Sequence, residues 1–284
     1  MINILKEDYS IRLLCETLGM HRCNVYHQPR PDEDRRVKEA LKEQAGAWPT
    51  YGYRRLTVML RRQGLKVNGK RVRRLMHELG IAGAAPRRTP RTTDSDHAYP
   101  RYPNLVEGLE AERPEQVWVA DITYIRLRKE FVYLAVLMDV FTRCIRGWHL
   151  SRSLEQELTL VALRRAFERG RPEIHHSDQG VQSAATAYVD LLNEHDVEIS
   201  MASVGEPEEN GYAERLMRTI KEEEVDLSEY EDFSEAKGGL GKFLDDVYNR
   251  KRIHSSLGYL TPSEFEQQWI SMQRSQEPSV TNVQ

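Results

Sequence analysis

Residues 131–139, Phe-Val-Tyr-Leu-Ala-Val-Leu-Met-Asp, are apolar at nearly every position. A strand exposes alternate side chains on opposite faces, so a strand apolar on both faces belongs in the middle of a sheet with both sides covered. The preceding stretch, Val117-Trp118-Val119-Ala120-Asp121-Ile122-Thr123-Tyr124-Ile125, has the same β-branched and aromatic character and no Gly or Pro. The turn at Arg128-Lys129-Glu130 is short, and a third strand is expected over Cys144–Leu150. Short links predict an antiparallel three-strand meander. In the first strand Asp121 shares a face with Val117, Val119, Thr123 and Ile125. A carboxylate in such a row is unfavourable unless it is hydrogen-bonded, paired or bound to a cation. Two readings stand at this point: an Asp bonded to neighbouring backbone, or a cation ligand completed by later acids.

The pattern then alternates. A helix is predicted over Glu155–Glu168, a short strand over Glu173–Asp178, a helix over 183–195 and a strand over Glu198–Met201. After a loop from Gly205 to Gly211, a long helix runs from about Asn210 past Lys221. A later helix, about 234–250, carries Leu240, Phe243, Leu244 and Val247, which serve either the core or a contact between copies.

The N-terminal third is different. The chain of 284 residues has a net charge of only −3, yet residues 51–92 hold 12 Lys or Arg and one acid, Glu78. That segment is +11, and the remainder is −14. Such asymmetry points to a polyanionic partner, nucleic acid in preference to a merely solvated basic face. Ser10 as N-cap, helical spacing through Leu18, Gly19 and a second short helix from about His21 fit a helix-turn-helix over 1–30. A second, basic one is expected over 31–81, with Leu56, Met59 and Leu60 inward on one helix and Val72, Leu75, Met76 and Leu79 inward on the next. Asn68 would cap that helix, leaving Lys70, Arg71, Arg73 and Arg74 outward near its start, the part that enters a major groove in such proteins. Arg54 and Arg55 open the segment. Pro86, Pro90, Pro100 and Pro103 mark 82–112 as a linker, lying on DNA or a neighbouring subunit through Arg87, Arg88 and Arg91, or a simple tether.

Composition excludes several classes. Hydrophobic residues make up 39% and charged residues 30%, and no apolar run reaches the roughly 18 residues of a membrane span. The N-terminus carries acids where a signal peptide is basic and then apolar, so a cytoplasmic protein is expected. Cys15, Cys23 and Cys144 are too few and scattered for a disulfide framework. Cys15, His21, Cys23 and His27 fit no zinc spacing. The polar segment 274–284 is expected to be a disordered tail.

The acids now fall into a series: Asp121 on the first strand, Asp178 after the fourth, Glu214 on the helix after the fifth. Between Asp178 and Glu214 lie 35 residues, and Lys221 follows Glu214 by seven, about two turns along the same helix face. This order resembles the ribonuclease H-like fold of polynucleotidyl transferases, and the spacing resembles the D,D(35)E signature of retroviral integrases and bacterial transposases. His176-Ser177-Asp178-Gln179-Gly180-Val181-Gln182 and Glu209-Asn210-Gly211-Tyr212-Ala213-Glu214-Arg215 resemble the family's second and third acid motifs. Tyr248–Tyr259 with Thr261-Pro262 resembles its C-terminal box, and Tyr51-Gly52-Tyr53-Arg54-Arg55 its upstream helix-turn-helix. Together they resemble IS3-type insertion-sequence transposases in the OrfB-like form, over about residues 10–270. Many members have Asp-Asn where this chain has Glu209-Asn210. The 35-residue gap and Lys221 select Glu214 over Glu208, Glu209 and Glu222.

The resemblance implies an α/β fold: a ribonuclease H-like core over 113–273, a mixed five-stranded sheet flanked by helices, preceded by small all-α helix-turn-helix domains. It implies that Asp121, Asp178 and Glu214 are both catalytic residues and metal ligands, holding two Mg²⁺ ions, with Mn²⁺ as a possible substitute. Asp121 would bridge the ions. It further implies binding of double-stranded DNA at terminal inverted repeats, cleavage by water, strand transfer by a 3′-hydroxyl, and a homo-oligomer, at least a dimer. Lys221 would meet a phosphate near the cut. Tyr212 would contact DNA or pack on its helix, and His254 would face DNA or cap a helix. The alternatives are another ribonuclease H-like nuclease, such as a resolvase, and a domesticated, non-catalytic DNA-binding regulator.

Overall fold

A computed structural model describes residues 9–21, 34–83, 102–178, 185–203 and 210–276. The helix expected after His21, the proline-rich stretch with Arg87, Arg88 and Arg91, residues Gln179–Gln182, Glu208 and Glu209, and the tail from 277 lie outside these. Contacts divide the chain into two units, residues 1–48 with 56–82, and 49–55 with 83–284.

The first unit is helical. Helix α1 (Ile11–Thr17) starts at Ser10, whose hydroxyl accepts the Leu13 N–H at 3.3 Å. Helices α2 (Arg35–Ala47), α3 (Tyr53–Arg62) and α4 (Gly69–Glu78) supply the buried Val37, Leu41, Leu56, Leu60, Val72, Leu75 and Met76. Asn68 caps α4 as expected, its side chain accepting the Arg71 N–H at 2.8 Å. The turn before it uses Gly64 at φ +80°, a conformation L side chains rarely adopt.

The second unit is built on one five-stranded sheet of order β3-β2-β1-β4-β5. Its strands are β1 (Val117–Arg126), β2 (Phe131–Asp139), β3 (Ile145–Ser151), β4 (Ile174–Ser177) and β5 (Glu198–Met201). The meander β1–β2–β3 is antiparallel, whereas β4 and β5 run parallel to β1. The parallel pairs need crossovers, supplied by α5 (Gln156–Phe167) and α6 (Thr186–Asn193). Alternation along β1 sorts the two faces as the sequence predicts. Val117, Val119 and Ile125 pack under α7 (Gly211–Glu223) and α8 (Phe233–Lys242), against Leu216, Ile220 and Leu240. Trp118 and Ala120 pack under α5 and α6, against Leu158, Leu163, Tyr188 and Leu192. At Gly147 a Cβ would lie 2.3 Å from the Ala162 carbonyl oxygen, so only glycine lets α5 approach β3 this closely.

After α8 the chain winds into a π-helical segment, Phe243–Lys251. Leu240, Phe243 and Leu244 are buried and Val247 packs beside them, so this apolar face serves the chain's own core. Asn249 clamps β3: its side chain accepts the Ile145 N–H at 2.9 Å and donates to the Ile145 carbonyl at 3.2 Å. The last helix, α9 (Pro262–Gln276), opens with a reciprocal capping box. Thr261 N–H donates to the Glu264 carboxylate at 2.8 Å, and Glu264 N–H donates to the Thr261 hydroxyl at 3.2 Å. This gives Thr261-Pro262 a structural reason. Among the described residues, no helix is long and apolar enough to cross a membrane.

Candidate active site

The parallel register of β1 and β4 ends with Ala120 opposite Ser177. Asp121 and Asp178 each stand one residue further on, at neighbouring positions. Here the sheet changes from antiparallel to parallel: β4 stops at Ser177, while β1 runs on to Arg126 beside β2. Helix α7 brings the third acid. Its N-cap residue Asn210 is buried and donates to the Ala120 carbonyl at 3.4 Å, tying the helix start to the residue before Asp121. Ala213, Leu216, Met217 and Ile220 seat α7 on the sheet. Glu214 is left exposed in the first turn, where the helix dipole favours an anion.

The electrostatics couple the three acids. Burial is the largest cause raising the Asp121 carboxyl, to about 7, and the charges of Asp178 and then Glu214 add to it. The Ile122 N–H, donating to the Asp121 carboxylate at 2.8 Å, and the Lys221 charge oppose the rise. Lys221 Nζ lies 5.2 Å from the centre of the Tyr124 ring, two turns along α7 from Glu214. Among the described residues, no three His, Cys, Asp or Glu side chains are gathered closely enough to hold a metal ion. Asp121 is thus an electrostatic neighbour of Asp178 and Glu214.

The other basic residues divide by environment. Arg71 and Arg74 both reach Asp34, each at 2.7 Å, and Arg74 also pairs with Glu78. Lys70, Arg73 and Arg54 are exposed. Arg55 is half-buried and donates to Glu223 at 3.2 Å, and its segment, 49–55, groups with the catalytic unit. Tyr51 is 1% exposed and its hydroxyl accepts the Ile253 N–H at 3.1 Å. Tyr212 is exposed, with the Arg143 guanidinium 4.1 Å from its ring centre.

Spacing alone misses the supports. Asp139 is fully buried at the end of β2 and accepts from the Glu115 N–H at 2.7 Å and from Thr142 N–H and hydroxyl at 2.6 and 2.8 Å. His254 stands at the N-cap position of the short 3-10 turn Ser255–Leu257, without a side-chain cap bond. It is buried and accepts from Arg252 at 3.0 Å. Beneath Asp178, His176 bonds the Ser200 hydroxyl and His175 the Tyr188 hydroxyl, both at 2.8 Å.

His175 provides a pH signature. Burial lowers it to about 3, so the folded chain refuses a proton that an unfolded histidine takes up near 6.5. Stability is then complete above 6.5 and falls as pH drops towards 3, by at most about 1.4 kcal/mol per pH unit for one such group. Urea unfolding between pH 7.5 and 5 should show this fall, and His175→Gln should flatten it by about one proton. An unchanged slope in the variant would contradict the burial of a neutral imidazole.

The integrase core domain family matches residues 111–207, a further integrase core family matches 195–262, and the HTH-like domain family matches 31–89. The HTLV-2 integrase catalytic core, solved in complex with magnesium, superimposes only loosely: TM-score 0.46 at 17% identity, over 54% of this chain and 97% of that one. Sequence relatives are nearer. The transposase for insertion sequence element IS629 of Shigella sonnei is 32% identical over 95% of this chain and 96% of its own length. That for IS904 of Lactococcus lactis is 33% identical over 81% of this chain and 92% of its own length. The IS3A transposase of Escherichia coli is 29% identical over 91% of this chain and 94% of its own length. With integrase core matches spanning the sheet and α7, and with relatives matched almost end to end, the chain belongs to the IS3-type insertion-sequence transposases, enzymes of the DDE polynucleotidyl transferase class with a ribonuclease H-like core.

Proposed function

We propose that the chain binds the terminal inverted repeats of its own insertion sequence, cuts the DNA there and joins the cut strand to a target. The observation that carries this is the coupling of Asp121 to Asp178 and Glu214 at the sheet's switch point. Asp121, whose proton affinity is raised by burial and by the charges of Asp178 and Glu214, forms with them a donor set for hard divalent cations, and all-oxygen ligation suits Mg²⁺, with Mn²⁺ as a substitute. Asp121, Asp178 and Glu214 would hold two such ions, drawn together against their mutual repulsion. Bound there, the cations would supply Lewis-acid stabilisation of the attacking and leaving oxygens in an in-line displacement.

The chain's own side chains do the rest. Water is the nucleophile for the cut and a DNA 3′-hydroxyl for the joining, so no side chain is required as nucleophile. Lys221, on the Glu214 face of α7, neutralises a phosphate beside the cut. The Ile122 N–H holds one oxygen of the Asp121 carboxylate. Residues 31–81 act as the DNA-binding domain and 113–273 as the catalytic domain. Lys70 and Arg73, both exposed, face the DNA there, and Arg71 and Arg74 reach Asp34. Bringing two element ends together requires at least a dimer.

The test is a duplex carrying the element's end, incubated with the full chain. Mg²⁺-dependent nicking at the end and joining to a target are expected, both stopped by EDTA. End-specific cleavage that persists in EDTA would overturn the assignment.

A further inference from the structure

Positions 212, 215, 216 and 219 lie roughly 100° or more around α7 from Glu214. They line a second cleft, of about 280 Å³, into which Arg55, Arg143, Arg215 and Arg252 also converge beside His254. Among the described residues no carboxylate lines it. Glu223 answers two of the four guanidinium groups, Arg55 at 3.2 Å and Arg252 at 2.7 Å. Arg143 and Arg215 have no carboxylate partner among the described residues. Nη1 of Arg143 is buried with no hydrogen-bond acceptor. An unanswered buried guanidinium N–H is unfavourable, so a ligand that accepts from it is favoured.

The cleft is also preorganised. Arg143 sits at φ +63° and its guanidinium is held over the Tyr212 ring at 4.1 Å. His254 cannot supply an anion, and burial together with Arg252, Arg55, Arg143 and Arg215 lowers it to about 2, so it stays neutral. The exposed Ser255 and Ser256 add hydroxyl donors at the rim.

We infer that this cleft is a second DNA contact, separate from the carboxylates, in which Arg143 and Arg215 clasp one backbone phosphate of a DNA strand against Tyr212. The inference rests on the reading of the chain as a DNA-processing enzyme. Its position on the same helix as Glu214 makes α7 the divider between the strand being cut and a phosphate held behind it.

The test measures binding of the full chain to a duplex lacking the element's ends, over a range of salt. Arg143→Asn keeps a residue that tolerates the left-handed backbone, and Arg215→Gln changes an exposed position. The double variant should melt like the wild type, bind more weakly and lose about 1 from the slope of log affinity against log salt. Arg171→Gln, a charge removed from an exposed site elsewhere in the unit, should leave the slope unchanged. An unchanged slope in the double variant, or an equal loss in Arg171→Gln, would overturn the site while leaving the DNA reading intact. If the wild type shows no salt-dependent DNA binding at all, both fail. A third arm titrates inorganic phosphate at constant ionic strength. If phosphate stabilises the wild type and not the double variant while the DNA slopes agree, the cleft takes free phosphate and the inference is wrong.

Discussion

Asp121→Asn is expected to abolish nicking and strand joining of an end-containing duplex, by about 10³-fold or more, with end binding unchanged. The substitution is nearly isosteric. It keeps an oxygen for the Ile122 N–H and removes the charge that Asp178 and Glu214 make costly to hold. A metal ligand and a structural Asp respond oppositely. If Asp121 served only its neighbouring backbone, relief of carboxylate repulsion would leave the fold equal or firmer and activity nearly intact. If it holds cations, the fold survives and the stabilisation of the displaced oxygens, several kcal/mol, is lost. Unfolding curves and gel-shift binding beside the cleavage assay separate the two. A thermally sound variant that still cuts would refute the role.

Glu223→Ala is expected to give the largest loss of stability, about 3–5 kcal/mol, because it strands a buried charge. Arg252 is 3% exposed, and its Nε and Nη2 donate to the two Glu223 oxygens at 2.7 Å each. Arg55 adds a third contact, at 3.2 Å. Removing the carboxylate leaves the Arg252 guanidinium desolvated, with His254 as its remaining acceptor. Replacing both partners, as in Glu223→Leu with Arg252→Met, removes the stranded charge and should recover most of the loss. Urea unfolding of the wild type, both single variants and the double variant measures this. Equal destabilisation in single and double variants would show that packing, rather than charge pairing, holds α7 to the C-terminal box.

That pair also shows where sequence reading stops. The strands of the meander were legible because burial on both faces writes an apolar run, and the Asp178–Glu214 spacing was legible because it lies along one chain. Thr261 and Glu264 were within reach for the same reason, three residues apart in a capping box. Arg252 and Glu223 are 29 residues apart, and nothing local marks either as buried. Tyr51 carries no local mark of its burial, and the Ile253 N–H that its hydroxyl accepts lies 202 residues away. Asp139 closes the apolar run of β2 with no local sign of its role. Its role as acceptor for Glu115 and Thr142 needs the β2–β3 corner to exist first. Arg143 carries no sequence signal, since its importance comes from a left-handed backbone and a ring on another element.

The most direct measurement is anomalous diffraction from crystals of the full chain grown with Mn²⁺ and an end duplex. Density for Mn²⁺ among the carboxylates of Asp121, Asp178 and Glu214, and its loss in Asp121→Asn, is the predicted result. Manganese bound elsewhere, with those three carboxylates still apart around the cut strand, would contradict it.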